Sequence, residues 1–347
     1  MKTPLVRARP RPFLVRPENV VRYEDGIVRI LDRRKYPFTV EFVDCATVED
    51  VAVAIREMVT QSLGPGPTAG YAIAQAAREA RSQSASAQKG HIARAAETLV
   101  ATRPTNDNIR LMVSRVAEVA TAAINQGRSP EEAALLEMAE YWVDLDEQLS
   151  GIGLAGAQFI EDGDVVLTHC WADALIIEIF AQALEAGKTF EVVCTETRPY
   201  LQGSRLTADA VAELGIHTTV ITDGMPATLM ANGRASKFVA GADRITMDGH
   251  WINKVGTLAI AIAAGHYGLP AYGVGFHPDP GASTGSDVEV EIRDATEVLH
   301  CMGLRTATSR AEGWYPAFDV TPPDLVTAFI TDRGAFAPHE LRKYFDS

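Results

Sequence analysis

The sequence predicts an α/β fold, because its C-terminal half alternates between short apolar runs and segments that have the length of helices. The runs are VVLTH (165–169), FEVVC (190–194), TTVIT (218–222) and FVAGA (238–242). Neighbouring parallel strands need a crossover of about a dozen residues, which the intervening segments supply. We expect a Rossmann-like, doubly wound parallel sheet, preceded by a smaller, mainly helical N-terminal domain that carries a short β-hairpin.

Length and charge restrict the classes of function. The chain has 347 residues and a formal net charge of −13, and its sequence pI is about 5.1. Nucleic-acid surfaces need clustered Lys and Arg, so this balance argues against a nucleic-acid partner. No apolar run reaches the ~20 residues of a membrane span, and the Pro-broken segment 1–13 lacks the apolar core of a signal peptide. We expect a cytoplasmic protein that acts on a small molecule and has no membrane partner.

The four cysteines, Cys45, Cys170, Cys194 and Cys301, are far apart in the sequence and form no CxxC pair. Free thiols are the expectation for a chain of this size without a secretory signal. The histidines show no spacing typical of a zinc site. We therefore expect no disulfide and no metal.

The N-terminal domain is expected at residues 19–150, after a loosely attached Arg- and Pro-rich arm at 1–18. Val20–Leu31 alternates around a turn at Glu24-Asp25-Gly26 and predicts a hairpin, and Thr39–Val43 predicts a further strand. Helices are expected after a start at Thr47 and Asp50, and then at about 68–83, 91–100, 104–125 and 130–149. The segment SQSASA (82–87) is interpreted as a linker. Gly151 and Gly153 predict a break before the C-terminal domain at 151–347.

Two helix starts in the first domain are candidate anion sites. Gly64-Pro65-Gly66-Pro67 opens one expected helix, and Arg103 precedes Pro104 at the start of another. A helix N-terminus offers unpaired N–H groups to an anion, and an arginine adds a bidentate contact. The alternative is that both segments are ordinary turns and caps, which are common before helices.

Residues capable of chemistry follow each apolar run, and ligands bind beyond the carboxyl ends of strands in open α/β sheets. Cys170 follows the first run, where a helix N-terminus would lower the pKa of its thiol, although a single cysteine is usually a buried hydrophobic residue. Asp243 follows the fourth run, where partial desolvation would raise the pKa of its carboxyl, unless it pairs with Arg244. Asn253 and Lys254 are expected to begin the next helix, as phosphate contacts or as caps.

Several motifs, taken together, resemble the methylthioribose-1-phosphate isomerase family. That family is homologous to the α, β and δ regulatory subunits of translation initiation factor 2B and to archaeal ribose-1,5-bisphosphate isomerase. The likeness extends over roughly residues 20–335. The motifs are RYEDG (22–26), LDRRKYP (31–37), TRPT (102–105), THC (168–170), TETRPYLQGSRLT (195–207), TDGM (222–225), GADRI (241–245), NKVGT (253–257) and PAFDVTPP (316–323).

The resemblance implies an aldose–ketose isomerase acting on a ribose 1-phosphate substituted at C5, without a cofactor. It implies that Cys170 and Asp243 are the catalytic pair, and that phosphate contacts come from Arg103, Gln202, Asn253 and Lys254. It also implies a homodimer. The two routes for hydrogen transfer, an enol phosphate or a direct hydride shift, both remain open at this point.

This chain departs from the family pattern in ways that bear on the substrate. Gly64-Pro65-Gly66-Pro67 stands where the family has ArgGlyAlaPro, so an arginine is missing although Gly64 and Gly66 retain backbone N–H groups. Trp171 and Asp173 follow the cysteine, Gly224 replaces an asparagine, and Tyr315 stands at the start of the AsnProAlaPheAsp motif. We expect 5-methylthioribose 1-phosphate or 5-deoxyribose 1-phosphate as substrate. The alternatives are a ribose-1,5-bisphosphate isomerase and a non-catalytic ligand sensor like the initiation-factor subunits.

Overall fold

The computed structural model describes residues 11–103 and 107–346. The chain divides into two compact units, Met1–Asp146 and Glu147–Ser347. The boundary expected from the sequence, at 150/151, lies a few residues further along the chain. The expected arm at 1–18 is described only from residue 11, and there Leu14 and Val15 are buried, so this part of the arm packs on the protein.

The first unit combines a three-stranded antiparallel sheet with a set of helices. The strands are β1 (Val21–Glu24), β2 (Ile27–Leu31) and β3 (Phe42–Cys45). The helices are α1 (Pro17–Val20), α2 (Val48–Arg56), α3 (Pro65–Glu79), α4 (Ala85–Val100), α5 (Asp107–Asn125) and the first part of α6 (Pro130–Ala157).

The predicted hairpin and the predicted start of α2 are both confirmed. β1 and β2 pair antiparallel around Asp25 and Gly26, which both have positive φ, as a tight two-residue turn requires. The side chain of Thr47 accepts the backbone N–H of Asp50, and the Asp50 carboxylate accepts the N–H of Thr47, which is a capping box. The third strand lies slightly later than expected, because Phe42–Cys45 pairs with β2.

The predicted linker at 82–87 is wrong. α4 begins at Ala85, and the Ser84 hydroxyl accepts the N–H of Ala87. The composition of this segment predicted a linker, but Ser84 acts as the N-cap of α4. The expected helix start at Pro104 lies outside the described residues.

The second unit is built on a seven-stranded sheet with the order β6-β5-β4-β7-β10-β14-β15. All neighbours are parallel except β14 and β15. The strands of this sheet are β4 (Asp164–Thr168), β5 (Phe190–Thr195), β6 (Thr218–Ile221), β7 (Lys237–Gly241), β10 (Ala271–Val274), β14 (Ala328–Thr331) and β15 (Gly334–Phe336). The four apolar runs of the sequence correspond to β4, β5, β6 and β7, so the predicted doubly wound sheet is confirmed.

Shorter elements surround this sheet. β8 (Arg244–Ile245), β9 (Trp251–Lys254) and β13 (Phe318–Thr321) form a three-stranded antiparallel sheet in the order β13-β9-β8, and β11 (His300–Cys301) pairs with β12 (Leu304–Arg305). The helices are α7 (Ala174–Glu185), α8 (Ala208–Glu213), α9 (Pro226–Ala231), α10 (Thr257–Tyr267) and α11 (Lys343–Asp346).

The strand order has one topological switch point. From β4 the chain proceeds outward through β5 and β6, then returns to place β7 on the other side of β4 and continues to β10 and β14. The crevice beyond the carboxyl ends of β4 and β7 is therefore where such sheets bind ligands. Trp251 packs against Phe238 of β7 and Phe329 of β14, and its indole N–H donates to the Gly241 carbonyl at 2.8 Å.

The break predicted at Gly151 and Gly153 is wrong, because α6 continues through both to Ala157. A Cβ at Gly151 would overlap the backbone oxygen of Asp332, and a Cβ at Gly153 would lie 3.0 Å from the backbone oxygen of Glu178. The glycines allow close approach of the helix to its neighbours, which outweighs their low helix propensity.

Candidate active site

Cys170 lies just beyond the carboxyl end of β4, at the switch point. Its φ is +65°, a left-handed conformation that is uncommon for a residue other than glycine. Its N–H donates to the Thr197 hydroxyl at 2.9 Å, and the Thr207 hydroxyl donates to its carbonyl. Two threonines from the segment that follows β5 therefore fix the backbone of Cys170. The sequence analysis included both threonines in a family motif but assigned them no role.

The pKa of Cys170 differs from the sequence-based expectation. Burial raises the pKa of the thiol to about 11, and the nearby positive charge of Lys254 opposes this only in part, while Asp243 adds to it. The expected lowering by a helix N-terminus is wrong, because α7 begins only at Ala174. The carboxylate of Asp173 caps that helix by accepting the Ala174 N–H at 3.1 Å.

Asp243 follows β7, the strand that lies next to β4. Its backbone N–H donates to the Ile252 carbonyl at 2.9 Å, which ties the β7–β8 turn to β9. Asp243 is exposed, whereas the sequence analysis expected a partly desolvated carboxyl at this position. Arg244 pairs with Asp279, with 3.2 Å between Nε and Oδ2. A Cβ at Gly241 would lie 2.8 Å from Cβ of Ala172, so the segments that carry Asp243 and Cys170 lie side by side.

A buried polar layer lies behind Cys170. The ring nitrogens of His169 lie 2.6 Å from the Thr195 hydroxyl and 3.0 Å from the Val255 carbonyl, and burial lowers the pKa of the imidazole, which favours its neutral form. The Asp223 carboxylate accepts the N–H groups of Thr197 and Arg198 at 2.8 and 2.7 Å. This carboxylate therefore holds the loop that carries Thr197 against the cysteine.

Gln202 lies after β5, directly before a single π-helical turn at Gly203–Thr207. Such turns often occur at functional sites. Gln202 is buried, and its Oε1 has no hydrogen-bond partner among the described residues. A buried polar atom without a partner is costly, which makes this amide a candidate to contact a ligand.

Asn253 and Lys254 end strand β9, so the prediction that they begin a helix is wrong. Both are buried, and the Asn253 amide donates to the Thr257 hydroxyl at 2.9 Å. The Lys254 ammonium lies 4.6 Å from the centre of the Phe318 ring. The positive charge of this ammonium also opposes the rise in the pKa of the Cys170 thiol. A buried ammonium of this kind is suited to bind an anion.

Asp319 caps helix α10, whose start lies beside Lys254. Its carboxylate accepts the N–H groups of Gly256 at 2.7 Å and of Leu258 at 3.1 Å. Burial raises the pKa of this carboxyl to about 6, although the two N–H groups and Lys254 favour its charged form. Gly256 has φ +110°, and a Cβ there would lie 2.9 Å from Nε2 of His169. Only glycine fits this turn, which the sequence analysis did not recognise as part of the site.

Gly64, Gly66 and Arg103 belong to the first unit. Gly64 is the N-cap of α3, and Pro65 occupies the first helical position. A Cβ at Gly66 would lie 3.5 Å from the backbone oxygen of Asn108, so the starts of α3 and α5 adjoin. Two buried hydroxyls near the start of α3, those of Thr60 and Thr68, have no hydrogen-bond partner among the described residues. Arg103 follows the end of α4.

Within residues 11–103 and 107–346, no three His, Cys, Asp or Glu side chains come together in a way that could hold a metal ion. In the same ranges, no helix combines the length and apolarity needed to cross a membrane.

The fold agrees with comparisons to known proteins. The initiation factor 2 subunit family matches residues 66–338. The chain is 39% identical to the methylthioribose-1-phosphate isomerase of Thermotoga neapolitana, over 90% of this chain and 92% of that protein. It is 37% identical to the protein of that name from Chloroflexus aurantiacus, over 92% of this chain and 96% of that protein.

Two solved structures have the same fold over nearly the whole chain. One is a 5-methylthioribose 1-phosphate isomerase from Pyrococcus horikoshii, with a TM-score of 0.82 and 28% identity over 94% of this chain and 95% of that one. The other is the delta subunit of translation initiation factor eIF-2B from A. fulgidus, with a TM-score of 0.81 and 32% identity over 95% and 99%.

The chain therefore belongs to the initiation factor 2 subunit family. The resemblance stated from the motifs is confirmed. The expectation that the chain is an isomerase is also confirmed, because its curated relatives are isomerases.

Proposed function

We propose that this protein converts a 5-substituted ribose 1-phosphate into the corresponding ribulose 1-phosphate. The observation that carries the proposal is the position of Cys170 and Asp243 after the neighbouring strands β4 and β7, at the switch point of the sheet. The relatives named as methylthioribose-1-phosphate isomerases support the same reaction.

A sugar that carries phosphate on its anomeric oxygen has no free aldehyde, so the ring must open first. The bond between C1 and the ring oxygen breaks, the ring oxygen takes a proton, and C1 gains positive character. The thiol of Cys170 fits the role of proton donor, because a pKa of about 11 keeps it protonated at neutral pH. Lys254 would then stabilise the thiolate that remains.

The exposed Asp243 carboxylate fits the role of base. As hydride moves from C2 to C1, the 2-hydroxyl must lose its proton to form the ketone, and Asp243 can accept it. The alternative route, through an enol phosphate, needs a thiolate at Cys170 to remove the C2 proton. The raised pKa disfavours that thiolate in the free protein. We therefore favour the hydride shift, with Cys170 as the proton donor and Asp243 as the base.

The choice between the two routes is tested with substrate deuterated at C2. A hydride shift in ordinary water leaves the deuterium on C1 of the product, as NMR or mass spectrometry would detect. Loss of the label to solvent would instead support the enol phosphate.

We propose that Gln202, Asn253 and Lys254 bind the phosphate, and that Gly64, Gly66 and Arg103 are phosphate-binding residues as well. In the second unit Arg198 donates to the carbonyls of Pro199, Val298 and His300, so its guanidinium is engaged by the protein. A second phosphate at C5 would need further cations. The arrangement therefore favours a 5-methylthio or 5-deoxy substituent over ribose 1,5-bisphosphate.

The test is formation of ketose 1-phosphate from 5-methylthioribose 1-phosphate, 5-deoxyribose 1-phosphate and ribose 1,5-bisphosphate in parallel. Cys170→Ala and Asp243→Asn should each lower kcat by about 100- to 10,000-fold, whereas Cys301→Ala, a thiol outside the site, should not. Absence of turnover with all three sugars, in a protein that still binds them, would identify a ligand sensor instead. Bisphosphate turnover far above that of the other two would reverse the ranking of substrates.

We further propose that the protein is a homodimer. Sedimentation equilibrium at micromolar concentration would give twice the chain mass of 37.4 kDa, and a monomer mass would contradict this.

A further inference from the structure

Tyr315 is a buried residue beside the site that the proposed mechanism does not use. Its side chain is 2% exposed, and its hydroxyl has no hydrogen-bond partner among the described residues. A phenol hydroxyl that is removed from water normally finds a partner, because leaving it unpaired costs free energy. The unpaired hydroxyl therefore needs an explanation in this structure.

The position of Tyr315 is set by its surroundings on two sides. Its carbonyl accepts the N–H of Arg293 at 2.9 Å, and Pro316 forms a β-bridge with Ile292. Its ring packs edge-on against the ring of Tyr200, with 6.2 Å between the centroids. The ring is thus held in place without any help from its hydroxyl.

Tyr200 offers a direct contrast in the same cluster. Its hydroxyl donates to the Glu297 carboxylate at 2.7 Å and lies 3.4 Å from a guanidinium nitrogen of Arg293. Of these two packed tyrosines, only Tyr200 has its hydroxyl paired with protein groups of the described part of the chain.

The hydroxyl of Tyr315 is also electrostatically linked to Cys170. Burial raises the pKa of this phenol above its usual range, Arg293 opposes the shift, and the charges of Tyr200, Glu297 and Cys170 add to it. The phenol therefore remains protonated, and a hydrogen-bond donor, at neutral pH. A hydroxyl donor beside Tyr200 and Cys170, without an acceptor among the described residues, is suited to a ligand that brings an oxygen atom to this position.

We propose that Tyr315 is a substrate-binding residue whose hydroxyl donates a hydrogen bond to a hydroxyl oxygen of the bound sugar phosphate, on the side of the sugar whose ring oxygen Cys170 protonates. This inference rests on the proposed isomerase function for the identity of the ligand. It adds a contact to the sugar itself, whereas the other proposed binding residues contact phosphate.

The first test compares Tyr315→Phe with the wild type. Because no described residue pairs with the hydroxyl, its removal should leave the melting temperature unchanged or raise it. Loss of the hydrogen bond to the sugar should lower kcat/KM by about tenfold. Tyr200→Phe is the matched control, since loss of its bond to Glu297 should lower the melting temperature.

Each other outcome is informative. Unchanged kcat/KM in Tyr315→Phe, with an active wild type, would overturn the contact and leave the isomerase intact. A fall in activity that is matched by a fall in melting temperature would overturn it in favour of a structural role. If the wild type shows no turnover, calorimetry with ribose 1-phosphate decides: about tenfold weaker binding to Tyr315→Phe supports the contact without the isomerase, and equal binding or none overturns it.

Discussion

The Cys170 thiol shows how burial can outweigh a favourable sequence context. A cysteine between a strand and a helix suggests a lowered pKa, but Asp173 already caps α7, and the thiol is buried. Desolvation disfavours the thiolate more strongly than the charge of Lys254 favours it. The motif makes Cys170 a candidate catalytic residue, while its protonation state depends on solvent exclusion by the segments packed around it.

Alkylation of Cys170 should consequently be slow at neutral pH. With a pKa of about 11, the thiolate fraction should rise about tenfold per pH unit between pH 7 and pH 10, and the rate of iodoacetamide labelling should rise with it. Mass spectrometry of the peptide that contains Cys170 measures this rate, and Cys170→Ser provides the background. A rate that levels off below pH 9 would contradict the raised pKa.

Asp319 should make stability depend on pH. Its pKa is about 6 in the folded protein, against an ordinary value of 3.8 for an exposed aspartate, so between these values the folded state binds a proton that the unfolded state does not. The unfolding free energy should therefore fall as pH rises through this window, by up to about 1.4 kcal/mol per pH unit, and stay level above it.

The measurement is urea denaturation of the wild type and Asp319→Asn from pH 4 to pH 7. Asparagine does not titrate, so the difference between the two unfolding free energies isolates this carboxyl. The stability advantage of the wild type should shrink as pH rises to about 6, and a difference that stays constant over the range would disprove the assignment.

At the scale of elements, α6 illustrates how packing overrides propensity. Gly151 and Gly153 look like a helix end in sequence, yet the helix continues because the segments around Asp332 and Glu178 approach it closely at these glycines. Sequence patterns predicted the hairpin, the cap of α2 and the strands β4 to β7, since these depend on local periodicity and turn chemistry. They missed the path of α6, because a close contact with Asp332 is not encoded locally.

Gly151→Ala should destabilise the protein by about 1–3 kcal/mol, because its Cβ would overlap the Asp332 backbone and force a shift. Gly90→Ala is the control within a helix. There the nearest heavy atom is the end of the flexible Arg94 side chain at 3.4 Å, so alanine should add up to about 1 kcal/mol of stability. Denaturant unfolding of both variants measures the difference, and equal effects would refute the packing explanation.

At the scale of the whole molecule, the order of the strands creates the site. Cys170 and Asp243 are far apart in sequence, and they follow adjacent strands because β7 returns to the free side of β4. The segment after β5 then supplies Thr197 and Thr207, and β9 supplies Lys254. Because β4, β5 and β7 are parallel in the large sheet, their carboxyl ends all lie at one edge of it.

Residues that act as one unit should show non-additive losses. If Cys170 and Asp243 serve the same step, Cys170→Ala with Asp243→Asn should be about as slow as the slower single variant, rather than slower by the product of both effects. Single-turnover rates of the wild type, both single variants and the double variant complete the cycle. Multiplicative losses would indicate that the two groups act independently.

The fold class, the strands of the large sheet that lead into the site, the family and the two proposed catalytic residues were all predictable from the sequence. These follow from apolar periodicity, turn residues and motif identity, which are local properties of the chain. Three-dimensional packing alone shows that Cys170 is desolvated while Asp243 is exposed, that Asn253 and Lys254 end a strand, and that the hydroxyl of Tyr315 has no partner in the described protein. Solvation and pairing depend on which distant segments pack around a group, and no local pattern specifies that.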